Sequence, residues 1–173
     1  MAIQFDFSGK GVLVTDSAAG LGRRISAAFH ELGAAVAIHD ASPAQAQQAV
    51  AELGGGPRLI AAAGDLTRTG DVAGIVARAI DGLGRLDVLV CCATHASLRA
   101  VDRISEDDFA WVMGANTKKA FFTTQSCVPA LRATRGTVVH VASTIGLVGG
   151  PAGAVGYATA SGATVQMARM MAL

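Results

Sequence analysis

Gly11-Val12-Leu13-Val14-Thr15-Asp16-Ser17-Ala18-Ala19-Gly20-Leu21-Gly22 is the stretch that decides how this chain folds. Its first residues form an apolar run without alternation, as in a parallel strand buried on both faces. A glycine-bearing turn comes next, then residues 21–32, where Ile25, Ala28, Phe29 and Leu32 recur at helical spacing. Strand, tight turn and helix in that order is the opening unit of a sheet covered by helices. Gly33 stops the helix.

Outward from there the unit repeats. Residues 34–39 read as a second strand ending at Asp40, and Pro43 opens a helix over 44–53. A third strand over 58–63 ends at Gly64-Asp65. A helix over 71–83 closes at Gly84, and 87–92 is the fourth strand. Ser105 followed by Glu106, Asp107 and Asp108 supplies an N-cap and an acidic first turn for a long helix running towards Leu131. Residues 137–141 are the fifth strand, and a last helix runs from Tyr157 to Leu173. This alternation predicts an α/β fold, a doubly wound, Rossmann-like parallel sheet with right-handed crossovers. No linker or repeat divides residues 1–173, which read as one domain ending within or just after the helix carrying Tyr157.

Composition narrows the classes of function. The chain has 173 residues, 51% of them hydrophobic and 16% charged, which is a globular balance. Its net charge of +1 offers no basic field for nucleic acid. Met1-Ala2-Ile3-Gln4 lacks the layout of a signal peptide. Residues 136–168 carry no charged side chain, but their Gly, Pro, Ser and Thr content argues against a membrane span. Cys91, Cys92 and Cys127 lack metal-ligand spacing and read as core thiols of a cytoplasmic protein.

A second stretch carries chemistry: Val138-Val139-His140-Val141-Ala142-Ser143-Thr144-Ile145-Gly146, then Gly-rich sequence, then Tyr157-Ala158-Thr159-Ala160-Ser161. It delivers a hydroxyl at a strand end and then a tyrosine onto a helix. Together with the turn from Thr15 to Gly22, it resembles the short-chain dehydrogenase/reductase family, which carries Thr-Gly-x-x-x-Gly-x-Gly at that turn. The resemblance implies nicotinamide cofactor binding at the carboxyl ends of the strands and a Ser–Tyr–Lys site. Gly20, Leu21 and Gly22 fall on the cofactor turn. Asp40 matches the ribose-binding carboxylate and, with no Arg or Lys after it, implies NAD over NADP. Asp65 matches an adenine-contacting aspartate, and Asn116 the helix asparagine that supports a proton-relay water. Ser143 matches the serine that polarises a carbonyl, with Thr144 competing because the spacing to Tyr157 is one residue longer than usual. Tyr157 matches the acid/base tyrosine.

Four departures fall on these positions. Asp16 stands where the family has its first glycine. Its carboxylate is expected either to point into the diphosphate place or to cap the helix from outside. In the first case, two unit charges about 4 Å apart repel by roughly 4 kcal/mol at an effective dielectric near 20. Cys91-Cys92-Ala93-Thr94 replaces Asn-Asn-Ala-Gly, exchanging a polar network for packing. Lys119 replaces a small residue; a solvent-facing Lys118-Lys119 pair is the expectation, a substitute catalytic cation the alternative. Ser161 replaces the lysine. Without that charge a phenol keeps its reference value of about 10, and general acid–base efficiency falls.

The expected function is therefore a degenerate family member, uncertain as an enzyme and retained for assembly with an active NAD-dependent subunit. That partner's substrate would be a hydroxyacyl-CoA or another secondary alcohol. The subunit itself binds NAD if any cofactor. Homo- or hetero-oligomer contact with a paralogue is expected through the helices ending near Leu131 and starting at Tyr157, with Ala160, Ala163, Thr164, Met167 and Met171 as the contact face. The alternatives are an active alcohol dehydrogenase or ketoreductase using Ser143 and Tyr157, and a small-molecule binder using the vacated cofactor pocket. The family pattern continues past Leu173 with further strands, a helix and a substrate lid.

Overall fold

The computed structural model describes residues 5–92 and 95–172. Five strands, β1 (Gly11–Val14), β2 (Ala35–Asp40), β3 (Leu59–Ala63), β4 (Val88–Cys91) and β5 (Thr137–His140), form one parallel sheet ordered β3-β2-β1-β4-β5. Val12 of β1 stands between Val36 and Val88. This is the predicted doubly wound arrangement. Strand order reverses between β1 and β4.

Successive strand side chains point to opposite faces, and along β1, β2 and β4 both faces are buried. Val12, Val14, Val36, Ile38 and Val90 enter one core, while Leu13, Ala37, Leu89 and Cys91 enter the other. Each fully buried Val or Leu contributes about 1.5–3 kcal/mol, which is why unbroken apolar runs suffice to place the central strands. Helices α1 (Gly20–Glu31) and α2 (Pro43–Glu52) cover the first core; α3 (Thr69–Leu83), α5 (Lys119–Thr134) and α6 (Val155–Met171) cover the second. The inward side of α1 is Gly22, Ile25, Ser26 and Phe29, whereas Ala28 and Leu32 are exposed, contrary to expectation. The inward set has ordinary helical spacing but is centred on a neighbouring face, and Leu32 is the C-cap beyond the last helical residue.

The long helix expected after Ser105 is three segments. Its start is a capping box: Ser105 Oγ accepts the Asp108 N–H, and the Asp108 carboxylate accepts the Ser105 N–H. Helix α4 (Glu106–Met113) then passes through a π-helical turn, Gly114–Lys118, into α5. The extra residue of a π turn rotates the downstream helix and brings Asn116 and Lys119 to 5% exposure.

Beneath the sheet, at the start of β1 and β4, Asp87 accepts from both Arg85 Nε and Nη2 at 2.7 Å, from the Gly11 N–H at 2.9 Å and from Lys10 at 3.3 Å. The three cysteines are free and buried, and burial pushes the Cys91 and Cys127 thiols up to about 12. Ala160, Thr164 and Met167 turn inward rather than outward. Thr117 Oγ1 donates to the Ala160 carbonyl at 2.9 Å and lies 3.3 Å from Thr164 Oγ1, and Met167 packs on the second core. Small residues on α6 serve this internal contact; of the expected face Met171 is exposed, and Met170 is exposed beside it. Thr94 and residues 1–4 lie outside the described residues.

Candidate active site

In a doubly wound sheet the ligand crevice lies outside the carboxyl ends of the strands, where strand order reverses. Asp16, just past β1, holds a left-handed backbone with φ 47°, a conformation that Asp tolerates better than most residues. Around it the strand ends are stitched together. Thr15 Oγ1 accepts the Cys92 N–H at 3.0 Å, and Ser17 Oγ donates to the Val14 carbonyl at 2.7 Å while accepting the His39 N–H at 3.0 Å. His39, 2% exposed, bridges three strand ends. Its Nδ1 accepts the Asp16 N–H at 3.2 Å, and its Nε2 faces the Gly64 carbonyl at 2.9 Å. A backbone N–H on one side and a carbonyl on the other require the proton on Nε2. Burial lowers the pKa of His39, partly offset by the bond to Gly64 and by Asp16.

The Asp16 carboxylate neither enters the crevice unpaired nor caps α1. Its Oδ2 lies 2.7 Å from Lys119 Nζ, and the N-cap of α1 is Ala19, without a side-chain bond. This overturns the expectation that Lys119 faces solvent with Lys118; Lys118 is exposed, Lys119 is not. Gly22 is required by close approach: a Cβ there would lie 2.6 Å from the Asp16 carbonyl oxygen. Gly20 opens the helix and Leu21 stands 55% exposed beside it.

Asp40 and Asp65 line the same side. Asp40 accepts the Ser42 N–H at 2.8 Å; Asp65 accepts the Thr67 hydroxyl at 2.6 Å and its N–H at 2.9 Å, and these bonds hold the Asp65 carboxyl below its ordinary range. With Asp16, His95, Trp111 and Lys119 they border a cavity of about 340 Å³. His95 and Trp111, edge to face at 5.9 Å, have no sequence signal that marks them.

The hydroxyl half of the site is built on β5, the π turn and α6. Ser143 Oγ accepts the Ile145 N–H at 3.4 Å at the start of a 3-10 turn, Thr144–Gly146. That turn sits against α6 so tightly that a Cβ on Gly146 would lie 2.5 Å from the Gly162 nitrogen. Tyr157 is half-buried in the first part of α6, and Ser161 is 4% exposed. Asn116 spends its amide on the segment after β4: Nδ2 donates to the His95 and Val112 carbonyls, and Oδ1 accepts the His95 N–H. The structure thus joins the turn bearing Ser143 to the helix bearing Tyr157, with the π turn behind them. Gly20, Leu21, Gly22, Asp40 and Asp65 sit on the β1–β3 side.

Compared with known families, residues 10–173 match the short chain dehydrogenase family. The chain belongs to that family. It is 32% identical to an uncharacterized oxidoreductase of Thermotoga maritima, over 97% of this chain and 66% of that protein. Identity is 33% to L-fucose dehydrogenase of Bos taurus (100% and 63%) and 33% to (2S)-[(R)-hydroxy(phenyl)methyl]succinyl-CoA dehydrogenase subunit BbsD of Thauera aromatica (93% and 65%). The chain therefore spans somewhat under two thirds of the length of these relatives. Among solved structures, a short-chain type dehydrogenase/reductase from Mycobacterium marinum superimposes with a TM-score of 0.91 at 28% identity, covering 98% of this chain and 68% of that one.

Short-chain dehydrogenases generally use NAD(P). The crevice as built does not fit such a group. Its buried ammonium is already bound to a carboxylate, and a diphosphate would meet that carboxylate at the end of β1. No helix among the described residues is long and apolar enough to cross a membrane.

Proposed function

We propose that this chain is a short-chain dehydrogenase subunit that transfers no hydride by itself and serves in assembly with an active NAD-dependent relative. One observation carries the reading. The helical turn after Tyr157 presents Ser161 rather than a cation, and the buried lysine of the crevice, Lys119, is bound to Asp16. The family's lysine would set a cation one helical turn from the phenol; a serine hydroxyl supplies no charge. The relative from Thauera aromatica is by name one subunit of a CoA-thioester dehydrogenase. That supports a heteromeric setting and a hydroxyacyl-CoA or other secondary alcohol as the partner's substrate. The contact surface is the outward part of α5 and α6, where Phe121, Met170 and Met171 are exposed. A cytoplasmic location goes with this reading.

The second reading is an active alcohol dehydrogenase or ketoreductase, favoured by the close seating of the Ser143 turn on the Tyr157 helix. Titration with NAD(H) and NADP(H), combined with turnover assays on secondary alcohols, separates the two. The isolated protein is expected to show no turnover, and to gain cofactor affinity in Asp16→Gly/Ser161→Lys. Turnover by the unaltered protein alone sinks the first reading.

A further inference from the structure

Asp16 and Lys119 come from positions 103 residues apart and meet at the switch point of the sheet, with side chains 25% and 5% exposed. A lone ammonium this buried is costly, so Lys119 needs an anion beside it. Two kinds of anion can serve: a carboxylate of the chain, or the phosphate of a ligand entering the crevice. The chain supplies its own, and the aim of that carboxylate is fixed from behind. Asp16 takes its positive φ with its N–H held by His39 Nδ1, and His39 is itself anchored on Gly64. The first turn of α1 contains no acidic residue and its N-cap no side-chain bond, so Asp16 is not there for the helix.

We infer that the Asp16 carboxylate is an internal anion standing where a ligand's phosphate would bind, and that Asp16 and Lys119 together form a lock that sets the crevice against diphosphates. The two residues act as one unit. Removing the carboxylate alone leaves a buried cation facing a cavity that also borders Asp40 and Asp65, and so converts an anion-rejecting crevice into an anion-accepting one. Removing both charges leaves only the Asp40 and Asp65 carboxylates at the cavity and so creates no anion site. The lock is independent of whether Tyr157 is competent, because it acts on binding and not on proton transfer.

The probe is inorganic pyrophosphate, titrated into the full chain by isothermal calorimetry. Asp16→Asn keeps the side-chain shape and the tolerance of a left-handed backbone while deleting the charge. Asp16→Gly meets the same φ without strain and is the second variant, should the first fold poorly. Either is expected to bind pyrophosphate at least about tenfold more tightly than the unaltered protein, and adding Lys119→Met is expected to abolish the gain. Equal affinity in the unaltered protein and the variants overturns the lock, as does a gain that survives Lys119→Met. A folded Asp16 variant with no gain overturns it too, yet leaves the loss of hydride transfer standing, since that is read by turnover.

Discussion

Lys119 and His39, which border the crevice, carry no local signal in the sequence. Lys118-Lys119 reads as a solvent-facing pair because nothing nearby in sequence announces a partner; the partner is Asp16, brought in by the sheet. Asp16 was legible as an oddity in a glycine turn, and its left-handed backbone is set by that turn, but its direction is not. His39 was hidden more deeply, since a histidine at the end of an apolar strand has no pattern of its own. Its consequences are measurable. Burial depresses its pKa in the folded state, so folding favours the neutral ring. The stability this gives is complete above the unfolded value of about 6.5 and is lost as pH falls through the folded value. The thermal midpoint is expected to fall between about pH 7.5 and 5.5, and His39→Gln is expected to flatten that fall. His140, also lowered by burial, contributes with the same sign and leaves part of the slope in the variant.

Elements were easier to see than their joins. Central strands announce themselves because both faces are buried, and the Ser105 capping box and Gly84 helix stop were readable as residue types at the right spacing. The π turn from Gly114 to Lys118 was not, since one extra residue leaves the apolar content of a long helix unchanged while rotating everything after it. The small residues of α6 suggested an outer contact face; they serve Thr117 and the core instead. The 3-10 turn after Ser143 depends on a contact with α6 that no local pattern encodes. Gly146→Ala tests that join. Its Cβ would meet Ser161 and Gly162 backbone atoms at 2.6 and 2.5 Å, so the turn has to lift off the helix. A loss of about 1–3 kcal/mol is expected, together with faster amide exchange in residues 144–147. Unchanged exchange would mean that the turn is held some other way.

Among the described residues, the ion pairs that bury a charged side chain lie at the two ends of the sheet. At the upper end Asp16 and Lys119 join β1 to α5; at the lower end Asp87 gathers Arg85, Lys10 and the Gly11 N–H. Burial alone would raise the Asp87 pKa, but those donors outweigh it and leave the carboxyl lowered. Its stabilisation is therefore present above the ordinary carboxylate value of about 3.9 and disappears as acid carries the pH through the lowered value. Asp87→Asn is expected to cost about 1–3 kcal/mol at neutral pH and to make the acid limb of a pH–stability curve shallower; an unaltered limb would assign acid unfolding to other groups. All three thiols are at 6% exposure or less, Cys91 and Cys92 at the carboxyl end of β4. Because a reagent such as a maleimide attacks exposed thiolate, the native cysteines are a silent background. A single cysteine introduced on the crevice rim or the outer face of α6 would carry a dye or spin label at one defined position, turning the shielded sheet into a frame for distance measurements.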